Sequence, residues 1–171
     1  MTLRFLASKI NTINQTIAKM SDIIRRYSSD PKIIMLSRAI TKSCRSRDAL
    51  CEARRIFKFV KKRVRYVYDP PGTEFLQDPV SFLGLSDDKK LNKIRSGDCD
   101  DFSIAIGALL RSIGHNPQLV IVRDYGMSGY HHVFVRDPLD TGAVILDAIR
   151  DDTGFNSLPR NEFKNIKIFD I

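Results

Sequence analysis

The sequence predicts an α+β fold, with helices first and a small antiparallel sheet after them. Two observations carry this. Up to about residue 113 apolar residues recur at helical spacing, and beyond Pro117 they fall into short β-type runs separated by turn residues. A third bounds the class: no apolar run reaches the ~18 residues a bilayer-spanning helix needs, and 43% hydrophobic content with ample charge describes a soluble globular chain. At 171 residues the chain can bury one good core with a small appendage.

Residues 3 to 26 form the first expected helix. Leu3, Leu6, Ile10, Ile13, Ile17, Met20 and Ile24 keep a 3-4 spacing with polar or basic residues between them. Asp30-Pro31 is a helix start, a capping acid followed by a first-turn proline, and the helix it opens should run to about Ser43. After a polar break at Arg45 to Asp48, a third helix runs to Arg63, with Leu50, Ala53, Phe57 and Val60 inward and Arg54, Arg55, Lys58, Lys61 and Lys62 outward. Val64, Tyr66 and Tyr68 alternate like a short extended segment, ended by Asp69-Pro70-Pro71-Gly72. Residues 73 to 98 read as an irregular connection with a brief helix near Asp78 to Leu85. The next helix occupies about Cys99 to Ile113, with Gly114 as its stop. Strands follow at Gln118–Arg123, His132–Arg136, Ala143–Asp147 and Ile166–Phe169, with turns at residues 125–129, Asp137-Pro138 and Thr141-Gly142.

Charge is unevenly spread. Met1 to Tyr68 holds 17 Lys+Arg against 4 Asp+Glu, whereas Asp69 to Ile171 holds 11 against 16. The basic half suits a solvated helical face, or an anionic partner such as a virion surface, an envelope polymer or nucleic acid. No nucleic-acid-binding module accompanies it, which ranks that partner behind the others. Three cysteines do not make a disulfide framework, so Cys44 and Cys51, seven apart in a helical region, read as core thiols. No cysteine or histidine pair has structural-zinc spacing, so neither a metal nor a cofactor is expected.

The chemistry gathers at Ser96-Gly97-Asp98-Cys99-Asp100-Asp101-Phe102. Gly97 lets the backbone turn, and Asp98, Asp100 or Asp101 can cap the helix that follows. A thiol in the first turn lies in the positive field of the helix N-terminus, which favours thiolate, although the flanking carboxylates oppose it. The same pattern also describes a small buried cysteine. A thiol nucleophile needs a base and a group to orient that base. The chain has three histidines: His115 reads as a solvated loop residue, while His131 and His132 open a strand and point to opposite faces. Asp147, one hairpin later, is placed to accept a hydrogen bond from a strand-start histidine at Nδ1.

Gly-Asp-Cys-Asp-Asp-Phe opening a helix, then His-Val-Phe-Val, then Ile-Leu-Asp-Ala, resembles the core of the transglutaminase-like cysteine peptidase superfamily. The stretch from about Ala49 to Ile149 is similar to compact bacteriophage-type members, including Val64-Arg65-Tyr66 and Glu74-Phe75-Leu76-Gln77-Asp78-Pro79 before the cysteine loop. The resemblance implies a papain/transglutaminase-like α+β fold in residues 46–171, with residues 1–45 as a basic helical extension. It implies Cys99 as nucleophile, His132 as general base and acid with His131 as the alternative, and Asp147 as the orienting acid. An oxyanion donor would come from the Cys99 N–H with Gln77, or behind it Tyr66. With no tryptophan in the chain, Phe82, Phe102 or Tyr130 would wall the cleft. The expected activity is acyl transfer to water on a peptide or protein substrate. A cross-linking transglutaminase, and a non-catalytic virion protein using the fold for binding, stand as alternatives. The expected location is a virion or the host cytoplasm.

Overall fold

Every residue of one helix from Asp100 to Leu110 is buried, and the rest of the molecule is arranged around it. The structure, a computed structural model, describes residues 12–70, 75–88, 95–149, 155–157 and 163–171. The elements run α1 (Ile13–Tyr27), α2 (Pro31–Thr41), α3 (Ala49–Arg63), β1 (Arg65–Tyr66), α4 (Pro79–Phe82), β2 (Ser96–Gly97), α5 (Cys99–Arg111), β3 (Gln118–Asp124), β4 (His132–Leu139), β5 (Gly142–Leu146) and β6 (Phe163–Asp170). The expected α+β order is the one observed. Residues 3–11 of the first expected helix and Pro71 and Gly72 of the expected turn lie outside the described residues. Among the described residues no helix is long and apolar enough to cross a membrane.

Helix starts follow the capping residues. Thr12, Asp30, Asp48, Asp78 and Asp98 each accept a first-turn backbone N–H, and Pro31 and Pro79 sit where a missing N–H costs nothing. On the inner faces, α1 buries Ile17, Met20 and Ile24, and α3 buries Ala53, Ile56, Phe57 and Val60. Leu50, expected inward, is 38% exposed, and Ile56 takes its place toward the core. α1, α2, α3 and α4 pack on α5, and so do β3 and β4 of the sheet. Gly107 lets α1 approach closely, since a Cβ there would come within 2.9 Å of Ile24 Cδ1.

The four-stranded sheet has the order β5-β4-β3-β6, antiparallel throughout. Leu119, Ile121, Val133 and Val135 join the main core with α5, while Val120, Val122 and Phe134 form a smaller cluster on the other face. β1 and β2 form a separate parallel pair that sets Tyr66 opposite Gly97. Two expectations need correction. Asp137-Pro138 is no turn: β4 continues to Leu139, because β3 pairing stops at Arg136 and Pro138 faces only Ala143 of β5. Cys44 and Cys51 are not separate core thiols but a disulfide with Cα atoms 5.8 Å apart, spanning the turn between α2 and α3. Cys44 lies in the connection after α2 and Cys51 in the first turn of α3, so the bridge closes across the expected break between the two helices.

Candidate active site

The Gly97–Asp101 loop assigns each residue a separate task. Asp98 caps α5 by accepting the Asp100 N–H at 3.1 Å, so Cys99 becomes the first residue of the helix. The thiol therefore lies where the first-turn N–H groups leave a partial positive charge. Asp101 turns back instead. Its carboxylate accepts the Gln77 backbone N–H and the Gln77 Nε2–H, both at 2.7 Å. Gly97 is needed there, since a Cβ would come within 2.2 Å of Asp101 Oδ2. Burial pushes the Asp101 carboxyl up to about 8, against the opposing pull of the Gln77 backbone bond.

His132 opens β4 and Asp147 follows β5. The register that pairs Val135 with Leu146 brings the two side chains together, and Nε2 of His132 lies 2.7 Å from Asp147 Oδ2. Both groups are buried, with side chains 7% and 2% exposed. The expected contact through Nδ1 is corrected: Asp147 holds the far nitrogen. That contact occupies Nε2, while Nδ1 makes no hydrogen bond of its own among the described residues.

Cys99, His132 and His131 line one cavity of about 160 Å³, together with Asp98, Asp100, Tyr130, Val133, Ile121 and, from α1, Ile13, Thr16 and Ile17. His131 stands apart chemically: its Nε2 is held by Asp124 Oδ2 at 2.9 Å. The thiol itself bonds Asp100 Oδ1 at 3.6 Å, and among the described residues no hydrogen bond joins Cys99 to His132. Burial first, then the Asp100 and Asp98 carboxylates, push the Cys99 thiol well above its ordinary value, against a lowering contact from the Val133 backbone amide. Burial and the two carboxylates thus oppose the thiolate that the helix N-terminus favours.

Gln77 is not brought into the cavity. Its Nε2 donates to Ser96 O at 2.9 Å and to Asp101 Oδ2, so both amide hydrogens are taken, and the side chain faces a separate groove with Tyr68 and Phe75. Tyr66 is brought close: burial, then the neighbouring Cys99, raise its phenol above the usual value. Of the three expected wall residues only Tyr130 lines the cavity. Phe82 and Phe102 instead stack edge to face in the core, with ring centroids 5.2 Å apart. Sequence reasoning missed the wall from α1 altogether, because helical spacing shows which face is buried but not against what.

It also missed a second histidine array. His115, expected in solvent, is buried, with Nδ1 2.6 Å from Asp137 Oδ2 and Nε2 3.1 Å from Glu52 Oε2. A sequence signal existed: Asp137 falls on the same β4 face as Val133 and Val135, so a buried carboxylate there needed a partner.

Residues 34–148 match the model of the transglutaminase-like superfamily. Two solved structures share the fold. One is a protein from Parabacteroides distasonis described as a candidate protease, with TM-score 0.57 and 10% identity over 77% of this chain. The other, from Cytophaga hutchinsonii and described as a candidate cysteine protease, has TM-score 0.50 and 14% identity over 90% of this chain. This chain spans 26% and 55% of those two chains, respectively. No curated protein sequence matches significantly.

Proposed function

Because the chain belongs to the transglutaminase-like superfamily, we propose that it is a thiol-dependent acyl-transfer enzyme that hydrolyses an amide or peptide bond through Cys99, His132 and Asp147. The observation that carries this reading is the buried His132–Asp147 pair at 2.7 Å beside a cavity that Cys99 also lines. Residues 46–171 would form the catalytic domain and residues 1–45 its basic helical extension. The resemblance to compact bacteriophage members extends the reading to a virion-associated enzyme acting on a peptide or protein.

Chemically, rotation of the thiol from Asp100 toward Nδ1 lets His132 take its proton, while Asp147 at Nε2 stabilises the imidazolium. Sulfur then attacks the carbonyl carbon, and the Cys99 N–H at the helix start, with the nearby Tyr66 hydroxyl, supplies donors for the oxyanion. His132 returns its proton to the leaving amine, and water resolves the thioester. Unaligned catalytic hydrogen bonds are common before substrate binds and tighten in the complex.

The test is labelling by a neutral thiol-directed probe in the wild type and in Cys99→Ala, His132→Ala and Asp147→Ala. Loss of labelling in Cys99→Ala and slow labelling in the other two supports the triad. Equal Cys99 labelling in the wild type and in His132→Ala overturns it.

A further inference from the structure

We propose that the outward face of the α2–α3 helix pair docks on an anionic phospholipid bilayer. This goes beyond the acyl-transfer reading and does not depend on it. The exposed residues of α2 are Pro31, Met35, Arg38 and Ala39, followed by Lys42 at its C-cap. Those of α3 are Leu50, Arg54, Arg55, Lys58 and Lys62. Every one is cationic or apolar, whereas a merely solvated helix face mixes both signs of charge. The two acids between Pro31 and Tyr68 are turned to other work: Asp48 caps α3 and Glu52 meets His115. Among the described residues none of these exposed cations forms an ion pair. Arg54 lies over the Phe155 ring, 5.2 Å from its centroid, and keeps its charge.

Both stripes face away from α5. The Ser37 hydroxyl donates to the Leu109 carbonyl of α5 at 3.0 Å, and residues two positions apart lie about 200° round a helix. Met35 and Ala39 therefore point away from α5. By the same spacing Arg55, Lys58 and Lys62 lie opposite the buried Ala53, Ile56 and Val60. α2 and α3 pack on each other and on α5, and the Cys44–Cys51 disulfide ties them where they meet. Arg45 and Arg47, exposed in the connection, carry the cationic surface from one helix to the other. Cations alone suit any polyanion. The apolar residues among them select a bilayer: Met35 is 71% exposed and Leu50 38%. A duplex presents its phosphates with no apolar layer beneath them, whereas headgroup phosphates lie directly over acyl chains that can take such side chains. Lys and Arg are in turn drawn to anionic headgroups. Among the described residues no helix can span a bilayer, so the attachment is peripheral.

Flotation of the full chain with vesicles tests this, using phosphatidylcholine alone and phosphatidylcholine mixed with phosphatidylglycerol, at about 0.15 M salt. We expect binding to the mixed vesicles only, weakening as salt rises. Lys58→Gln/Lys62→Gln should weaken the partition about 25-fold, at about fivefold per charge. Lys164→Gln/Lys167→Gln, the same charge change on β6, should weaken it less than about threefold. Glutamine is a good helix former, so the unfolding midpoint of the α3 variant should hold. Met35→Ser should weaken vesicle binding several-fold and leave binding to duplex DNA unchanged. Equal binding to the two vesicle types, equal loss in the two double variants, or a Met35→Ser variant that binds vesicles like the wild type overturns the inference. So does duplex DNA that displaces the chain from mixed vesicles, an outcome that assigns the face to nucleic acid.

Discussion

Two histidines in this chain are buried against aspartates with almost the same geometry. His132 meets Asp147 at 2.7 Å and His115 meets Asp137 at 2.6 Å, with histidine side chains 7% and 5% exposed. The difference lies at the second ring nitrogen. In His115 it is held by Glu52, and the ring ties the end of α5 to α3 and β4. In His132 it makes no hydrogen bond among the described residues, and the ring borders the Cys99 cavity. A buried His–Asp pair by itself therefore does not mark chemistry. A ring with one nitrogen held and the other facing a cavity beside a thiol can transfer a proton, whereas a ring held at both ends works as a brace.

The sharpest way to break this contrast is to remove each ring in turn. His132→Ala should slow turnover of a scissile amide on the order of 10³-fold or more, near the upper range for general acid–base catalysis, and, because it strands the buried Asp147 carboxylate, should lower the unfolding midpoint as well. His115→Ala should lower stability without touching the chemistry. It leaves a buried Asp137 carboxylate uncompensated, which costs about 3 kcal/mol in urea unfolding, while Cys99 labelling keeps its rate. If both variants lost activity and stability equally, the two arrays would not be distinct.

Gln77→Ala extends the contrast to the expected oxyanion donor. With its amide held by Asp101 and Ser96, its loss should lower stability by about 1–3 kcal/mol through unmet buried acceptors. A drop of about 10²-fold in kcat with stability intact would instead restore the oxyanion role.

The smallest effect is a pH dependence. Burial opposes charging of His115, but the hydrogen bonds and charges of Asp137 and Glu52 outweigh it and raise its pKa above 6.5. A raised folded pKa contributes stability that is fully present below the unfolded value and is lost as pH rises through the folded one. The stability gap between wild type and His115→Ala should therefore narrow as pH rises from about 6 toward 9. A gap that widened over that range would show that His115 is held neutral.

The fold was largely legible because helical periodicity, capping acids and turn residues are local signals. α2, α3, α5 and the strand starts at Gln118 and His132 fall where these signals put them. At the site, the order Cys99, His132, Asp147 could be read from sequence, since a strand-start histidine and an acid one hairpin later are related by register. What could not be read depends on contacts between distant segments. The Gln77–Asp101 tie, the burial of His115 and the α1 wall are such contacts, and no spacing in the chain encodes them. The Cys44–Cys51 disulfide is another such contact: a break between two helices does not by itself show that the chain turns back far enough to bring two sulfurs together.

α1 has one more consequence. Its later turns, through Met20 and Ile24, are core, whereas Ile13, Thr16 and Ile17 face the thiol. The whole helix precedes residue 34, where the match to the superfamily begins. The groups that would break a bond and the α1 part of the cavity wall are thus encoded in separate stretches of sequence. Selection can alter the wall and leave the thiol, the imidazole and the carboxylate untouched, so that one inherited reaction can be turned toward new targets by drift in a neighbouring segment.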